Sequence, residues 1–174
     1  MTAFVALLRA VNVAGTGKLP MAELKAMGEA CGFRSVTTFI ASGNLLFLSD
    51  EPEKAVAQKL AGRIETYFGK AVPIFVRTAA EMREAADQNP FADDSPGKVM
   101  AHFIDETPTQ AMLDAATGRD GERLALGPRL IYVSYGDGMG STKLKLPAVR
   151  GGTARNMNTV AKLAALAALA AELA

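Results

Sequence analysis

Phe4-Val5-Ala6-Leu7-Leu8 is apolar at five successive positions. A strand with one wet face alternates, so this one is expected to be buried on both faces. A glycine-containing loop then leads to Pro20, which opens a helix where its fixed φ costs nothing. Met21, Leu24 and Met27 share one face of that helix, and Gly32 ends it. Residues 36–40 and 45–48 read as strands joined by a tight turn at Gly43-Asn44. Val56, Leu60, Ile64 and Phe68 recur every fourth residue, the buried stripe of a helix running from about Pro52 to Phe68. Residues 72–76 form the next strand. The order is βαββαβ, the split arrangement of ferredoxin-like units.

The second half repeats much of this order. Thr78-Ala79-Ala80-Glu81 is a capping box for a short helix. A polar connection through Asn89, Pro90, Asp93 and Asp94 leads to a strand at 99–104. Thr107-Pro108-Thr109-Gln110 is a second capping box, with Pro at the first helical position, for a helix ending near Gly118. Strands at 123–126 and 130–135 follow, then a glycine-rich loop at 136–140 and a final Ala/Leu helix at roughly 156–173. Phe47 and Tyr132 occupy equivalent places in aromatic-bearing strands that follow a turn. The expectation is an α+β chain of two ferredoxin-like halves, βαββαβ over residues 1–78 and βαββα over residues 79–174. The arrangement is consistent with a duplication and closes on the C-terminal helix.

Composition excludes several function classes. The chain has 174 residues, 49% hydrophobic and 21% charged, enough for one domain or two small fused halves. A net charge of +1 and a pI near 7.8 make a dedicated nucleic-acid binder unexpected. Cys31 is the only cysteine, so no internal disulfide forms, which fits a cytoplasmic location. The apolar run before Arg9 is too short for a leader or a membrane span, and the terminal helix is mostly alanine.

Three polar stretches stand where the scaffold turns: Arg9 to Lys18, Ser42-Gly43-Asn44, and Arg155-Asn156-Met157-Asn158-Thr159. They combine cations, amides and backbone N–H groups, the chemistry that holds an anion. The first nearly spells a P-loop, but Asn12 stands where the first glycine belongs and Leu19 where the Mg²⁺-binding hydroxyl belongs. A looser anion site fits it better, with Arg9, Lys18 and N–H groups near Gly15 and Gly17 converging. A solvated crossover loop fits as well. Ser42-Gly43-Asn44 reads as a hairpin turn or as a rigid tip that aims Ser42 and Asn44 at a ligand beside Arg9. Asn156 or Thr153 is able to cap the last helix, and Arg155 is suited to grip an anion at its N-terminus.

Other chemistry is poorly provided for. The 136–143 stretch lacks the third glycine of a dinucleotide fingerprint. Cys31 falls at a helix C-terminus, where the dipole disfavours a thiolate. His102, the single histidine, lies in an apolar strand. One His and one Cys leave no ordinary metal cage, and no nucleophile elbow is present.

With these residues in view, the chain resembles a bacterial family catalogued as domain of unknown function 1697. The resemblance rests on residues 5–13, on Lys18-Leu19-Pro20-Met21-Ala22-Glu23-Leu24, on Ser42-Gly43-Asn44, on Asn89-Pro90-Phe91 and on Arg155-Asn156-Met157-Asn158-Thr159-Val160. It departs from the family pattern twice. The resemblance implies a glycine after the first arginine, where this chain has Ala10. It also implies a tryptophan between the two late asparagines, where this chain has Met157. The family implies paired ferredoxin-like units and no established activity or cofactor.

The leading expectation is a binder of an anionic, phosphate- or carboxylate-bearing small molecule. Arg9, Asn12, Lys18, Ser42, Asn44, Arg155, Asn156 and Asn158 would line one site. No catalytic residue, cofactor or metal is assigned. The alternative is a protein- or nucleic-acid-interaction module without enzymatic activity. Of the two partners, RNA is disfavoured because residues 44–49 offer Phe47 alone. The Ala/Leu helix could instead pack on a second copy as a homodimer.

Overall fold

A computed structural model describes residues 1–13 and 17–174. The fold is mixed α+β, with two four-stranded antiparallel sheets and a C-terminal helix. Two compact units are present: residues 1–82 with 163–174, and residues 83–162.

In the first unit, β1 (Thr2–Leu8), α1 (Met21–Ala30), β2 (Arg34–Thr38), β3 (Asn44–Ser49), α2 (Glu53–Phe68) and β4 (Ile74–Thr78) succeed one another. The sheet order is β2-β3-β1-β4. Successive side chains of β1 point to opposite faces. Phe4, Ala6 and Leu8 join Leu45, Phe47 and Val76 in one core, covered by Leu24 and Met27 of α1 and Val56, Leu60 and Ile64 of α2. Ala3, Val5 and Leu7 are buried too, together with Leu46, Leu48, Phe75 and Arg77, so β1 is buried on both faces as its composition requires. Phe33 stacks on Phe47 with ring centroids 4.1 Å apart.

Several boundaries differ from the sequence expectation. β4 begins at Ile74 rather than Val72 and runs through Arg77 to Thr78, because its register is set by β1, Phe4 lying opposite Thr78. The β2–β3 connection is not a two-residue turn. It spans residues 39–43, with Asn44 already the first residue of β3. Gly43 has φ +87°, and a Cβ there would sit 2.5 Å from Val11 and 3.0 Å from Leu8, so both conformation and space require glycine. The Thr78–Glu81 capping box is formed reciprocally at the start of α3 (Ala79–Asp87). Thr78 N–H donates to Glu81 at 2.8 Å, and Glu81 N–H donates to Thr78 Oγ1 at 3.2 Å.

The second unit contains β5 (Val99–Phe103), α4 (Gln110–Asp114), β6 (Arg123–Gly127), β7 (Leu130–Ser134) and β8 (Thr153–Asn156), in the order β6-β7-β5-β8. β8 was not expected. It leads directly into α5 (Met157–Glu172). α4 starts two residues later than its sequence suggests. Thr109, not Thr107, is the capping residue, and the helix stops at Asp114, before Gly118. Ile131 and Val133 pack with Leu146, Leu124, Met112 and Leu113 on one face of this sheet. On the other face, Tyr132 is fully buried and donates to the Ala85 carbonyl at 2.6 Å.

Candidate functional site

β1 and β4 are antiparallel neighbours, with Leu8 opposite Ile74. The loop leaving β1 therefore lies beside the loop entering β4. Arg9 N–H donates to the Pro73 carbonyl at 3.0 Å and joins the two. Between them lies a cavity of about 180 Å³. Its walls include Arg9, Val11, Gly17, Phe68, Lys70, Val72 and Pro73. α2 ends at this place, closed by Gly69 at φ +72°, whose N–H donates to the Glu65 carbonyl at 2.7 Å. A Cβ on Gly17 would fall 2.3 Å from the Phe68 ring, so the incoming loop reaches that wall because it carries no side chain there.

Two cations, Arg9 and Lys70, line this cavity, and no carboxylate does among the described residues. Among the described residues neither cation forms an ion pair. Sequence reasoning found Arg9 and missed Lys70. The missing step was topological: in a sheet where the first and fourth strands pair, the residues after β1 meet the residues before β4.

The other first-unit candidates hold the loop in shape. Asn12, at φ +56°, donates through Nδ2 to the carbonyls of Leu19 and Ala41, each at 2.8 Å. Its Oδ1 accepts from Leu19 N–H at 2.7 Å. Asn44 is fully buried and donates to the Phe39 carbonyl at 2.8 Å and to Ser42 Oγ at 3.0 Å. Lys18 is exposed. Gly15, whose N–H the sequence placed in an anion site, lies outside the described residues with Ala14 and Thr16. Ala10 has φ +52°, the left-handed region glycine occupies freely, which is the physical meaning of the glycine expected at this position.

Arg155, Asn156 and Asn158 belong to the second unit. Arg155 sits in β8 opposite Ala101 and is 6% exposed. Its guanidinium donates to Thr153 Oγ1 at 2.7 Å and to the Ala154 carbonyl at 2.9 Å. Burial pulls its pKa down to about 10. Asn156 Oδ1 accepts from Thr159 N–H at 3.0 Å and caps α5. Asn158 is exposed, and Met157, at the expected tryptophan position, is 5% exposed.

The Asn89-Pro90-Phe91 motif is a structural lock. Asn89 Oδ1 accepts from Phe91 N–H at 3.0 Å, and the Arg123 guanidinium lies 4.7 Å from the Phe91 ring centre. Arg123 also donates to Asp94 at 2.5 Å, and Ser134 donates to the same carboxylate. His102 reaches the Tyr135 hydroxyl at 3.1 Å, and burial drops its pKa to about 4. Burial raises the Cys31 pKa, against the opposing pull of Arg63 and Lys59. No helix among the described residues is long and apolar enough to cross a membrane.

Two antiparallel sheets, with a small cation-lined cavity where the first and fourth strands meet, define an α+β protein. The chain belongs to the family of proteins of unknown function DUF1697, which matches residues 1–132. The conserved bacterial protein SP0830 from Streptococcus pneumoniae has a similar fold, at 22% identity and a TM-score of 0.80 over 95% of this chain and 98% of that one. No curated protein matches the chain.

Proposed function

We propose that the first unit binds a small organic anion in the cavity beside Arg9. Arg9 and Lys70 take the charged group, and Phe68, Val72 and Pro73 take the apolar body. One observation carries this reading: two cations without a carboxylate among the described residues that line a mainly apolar recess. Two like charges beside an apolar wall repel, and a carboxylate or phosphate between them relieves that repulsion. A guanidinium meets such a group through two parallel hydrogen bonds. A cavity of roughly 150 Å³ is enough for benzene, so about 180 Å³ suits one ring-sized body with a charged substituent. Asn12, Ser42 and Asn44 brace the loops that present Arg9, while Lys18 adds positive charge nearby. No bond-making or bond-breaking step is assigned.

The two sheets are read as ferredoxin-like halves, residues 1–78 and 79–174, related by duplication. Matching strand orders support this. So does a buried arginine at the same edge of each sheet, Arg77 opposite Val5 and Arg155 opposite Ala101. A cytoplasmic setting fits the half-buried thiol of Cys31. The RNA-platform alternative is weakened because all six residues of β3 are buried, which leaves no open face at the sheet centre.

Thermal melting with benzoate, phenyl phosphate and inorganic phosphate tests the binding reading. A ligand that binds the native state raises the melting temperature by linkage. Phenyl phosphate is expected to raise it most, and Arg9→Ala and Lys70→Ala to lose the rise while folding normally. The same rise in wild type and both variants would place binding elsewhere, and no rise with any of the three would remove the reading.

A further inference from the structure

Helix α5 turns one face inward and leaves the other open. Val160, Leu163, Ala164 and Ala167 are buried. At about 100° per residue, Ala161, Lys162, Ala165, Leu169 and Glu172 fall within an opposite arc of about 100°, and Leu173 follows directly on the last helical residue. All six are exposed, Leu169 at 57% and Leu173 at 84%. The open face is thus a ridge of two small and two large apolar residues, with a cation towards its start and an anion towards its end.

We propose that this face pairs with the same face of a second copy of the chain, antiparallel, about a two-fold axis level with Ala167. The side chains themselves select that register. It sets Ala161 level with Leu173 of the second copy and Ala165 level with Leu169, so each large side chain meets a small one. It also sets Lys162 level with Glu172 of the second copy. These two are too far apart in sequence to pair within one helix, and among the described residues neither has an ion-pair partner. The two-fold supplies both with one, twice over.

A parallel pairing sets leucine against leucine and like charge against like charge, so charge and shape exclude the same alternative. A surface that complements itself under a two-fold is what a closed homodimer requires. The seam is short. It falls below the roughly 1,200 Å² of standard stable interfaces, so the dimer it builds is reversible and concentration-dependent.

Sedimentation of the full chain from about 10 to 500 µM tests this, a range that spans weak dissociation constants. The expected result is a monomer–dimer equilibrium. Leu169→Glu weakens it at least about tenfold, as loss of a central apolar anchor does. Lys162→Glu alone weakens it, and adding Glu172→Lys restores it. Circular dichroism checks that each variant stays folded, which the exposure of these positions favours. A monomer at every concentration overturns the proposal. So does a dimer indifferent to Leu169→Glu, or a charge reversal that does not recover.

Discussion

Replacing Asn44 with alanine separates the two readings of Ser42-Gly43-Asn44. The asparagine is fully buried, and its amide nitrogen serves the Phe39 carbonyl and the Ser42 hydroxyl. Alanine leaves both acceptors without that donor and opens a small void. An orphaned acceptor costs about 1–3 kcal/mol, and the lost packing adds to it. The expected loss is about 2–3 kcal/mol. For a chain of this length about 2–4 °C of melting temperature goes with each kcal/mol, so the melt should fall by roughly 5–10 °C. Urea unfolding at neutral pH measures it, with an unchanged slope showing that the folded and unfolded states keep their compactness. A loss below about 0.5 kcal/mol, the range of an ordinary surface change, refutes the claim that this amide braces the turn.

Two further substitutions test local physics. Ala10 occupies the left-handed region at φ +52°. Ala10→Gly removes roughly 1–2 kcal/mol of backbone strain and adds back roughly 0.5–1 kcal/mol of unfolded-chain entropy. Net stabilisation of about 0.5–1 kcal/mol in urea unfolding is expected, and destabilisation contradicts the strain. His102 has a folded pKa of about 4 against an ordinary 6.5. The unfolded chain therefore binds the proton first, and stability is complete above about pH 6.5 and lost progressively as pH falls towards 4. That loss approaches about 3 kcal/mol. His102→Leu should flatten this part of the pH–stability profile, and an unchanged profile would show that another group carries it.

What could be read from the sequence was whatever depended on local pattern. Double burial of β1 followed from five apolar residues in a row, the stripe of α2 from its fourth-residue repeat, and the start of α3 from one capping box. What could not be read depended on pairing. β8 has the sequence Thr-Ala-Arg-Asn, with one apolar residue and a cation, and it is extended because β5 offers its edge. Arg77 fell just past the expected strand at 72–76 and proved to lie within β4, fully buried. The loop amides of Asn12 and Asn44 suit a ligand or a backbone carbonyl equally well, and only the fold shows the carbonyls within reach. Lys70 joins Arg9 through a strand pairing that neither residue's neighbourhood announces.

The most direct test of the anion cavity is a titration of isotopically labelled protein with phenyl phosphate, followed by backbone amide shifts. Saturable shifts confined to residues 9–11, 17–18 and 68–72, and absent in Arg9→Ala, are the predicted result. Saturable shifts centred on residues 155–159 with those segments silent, or no shifts anywhere, would contradict it.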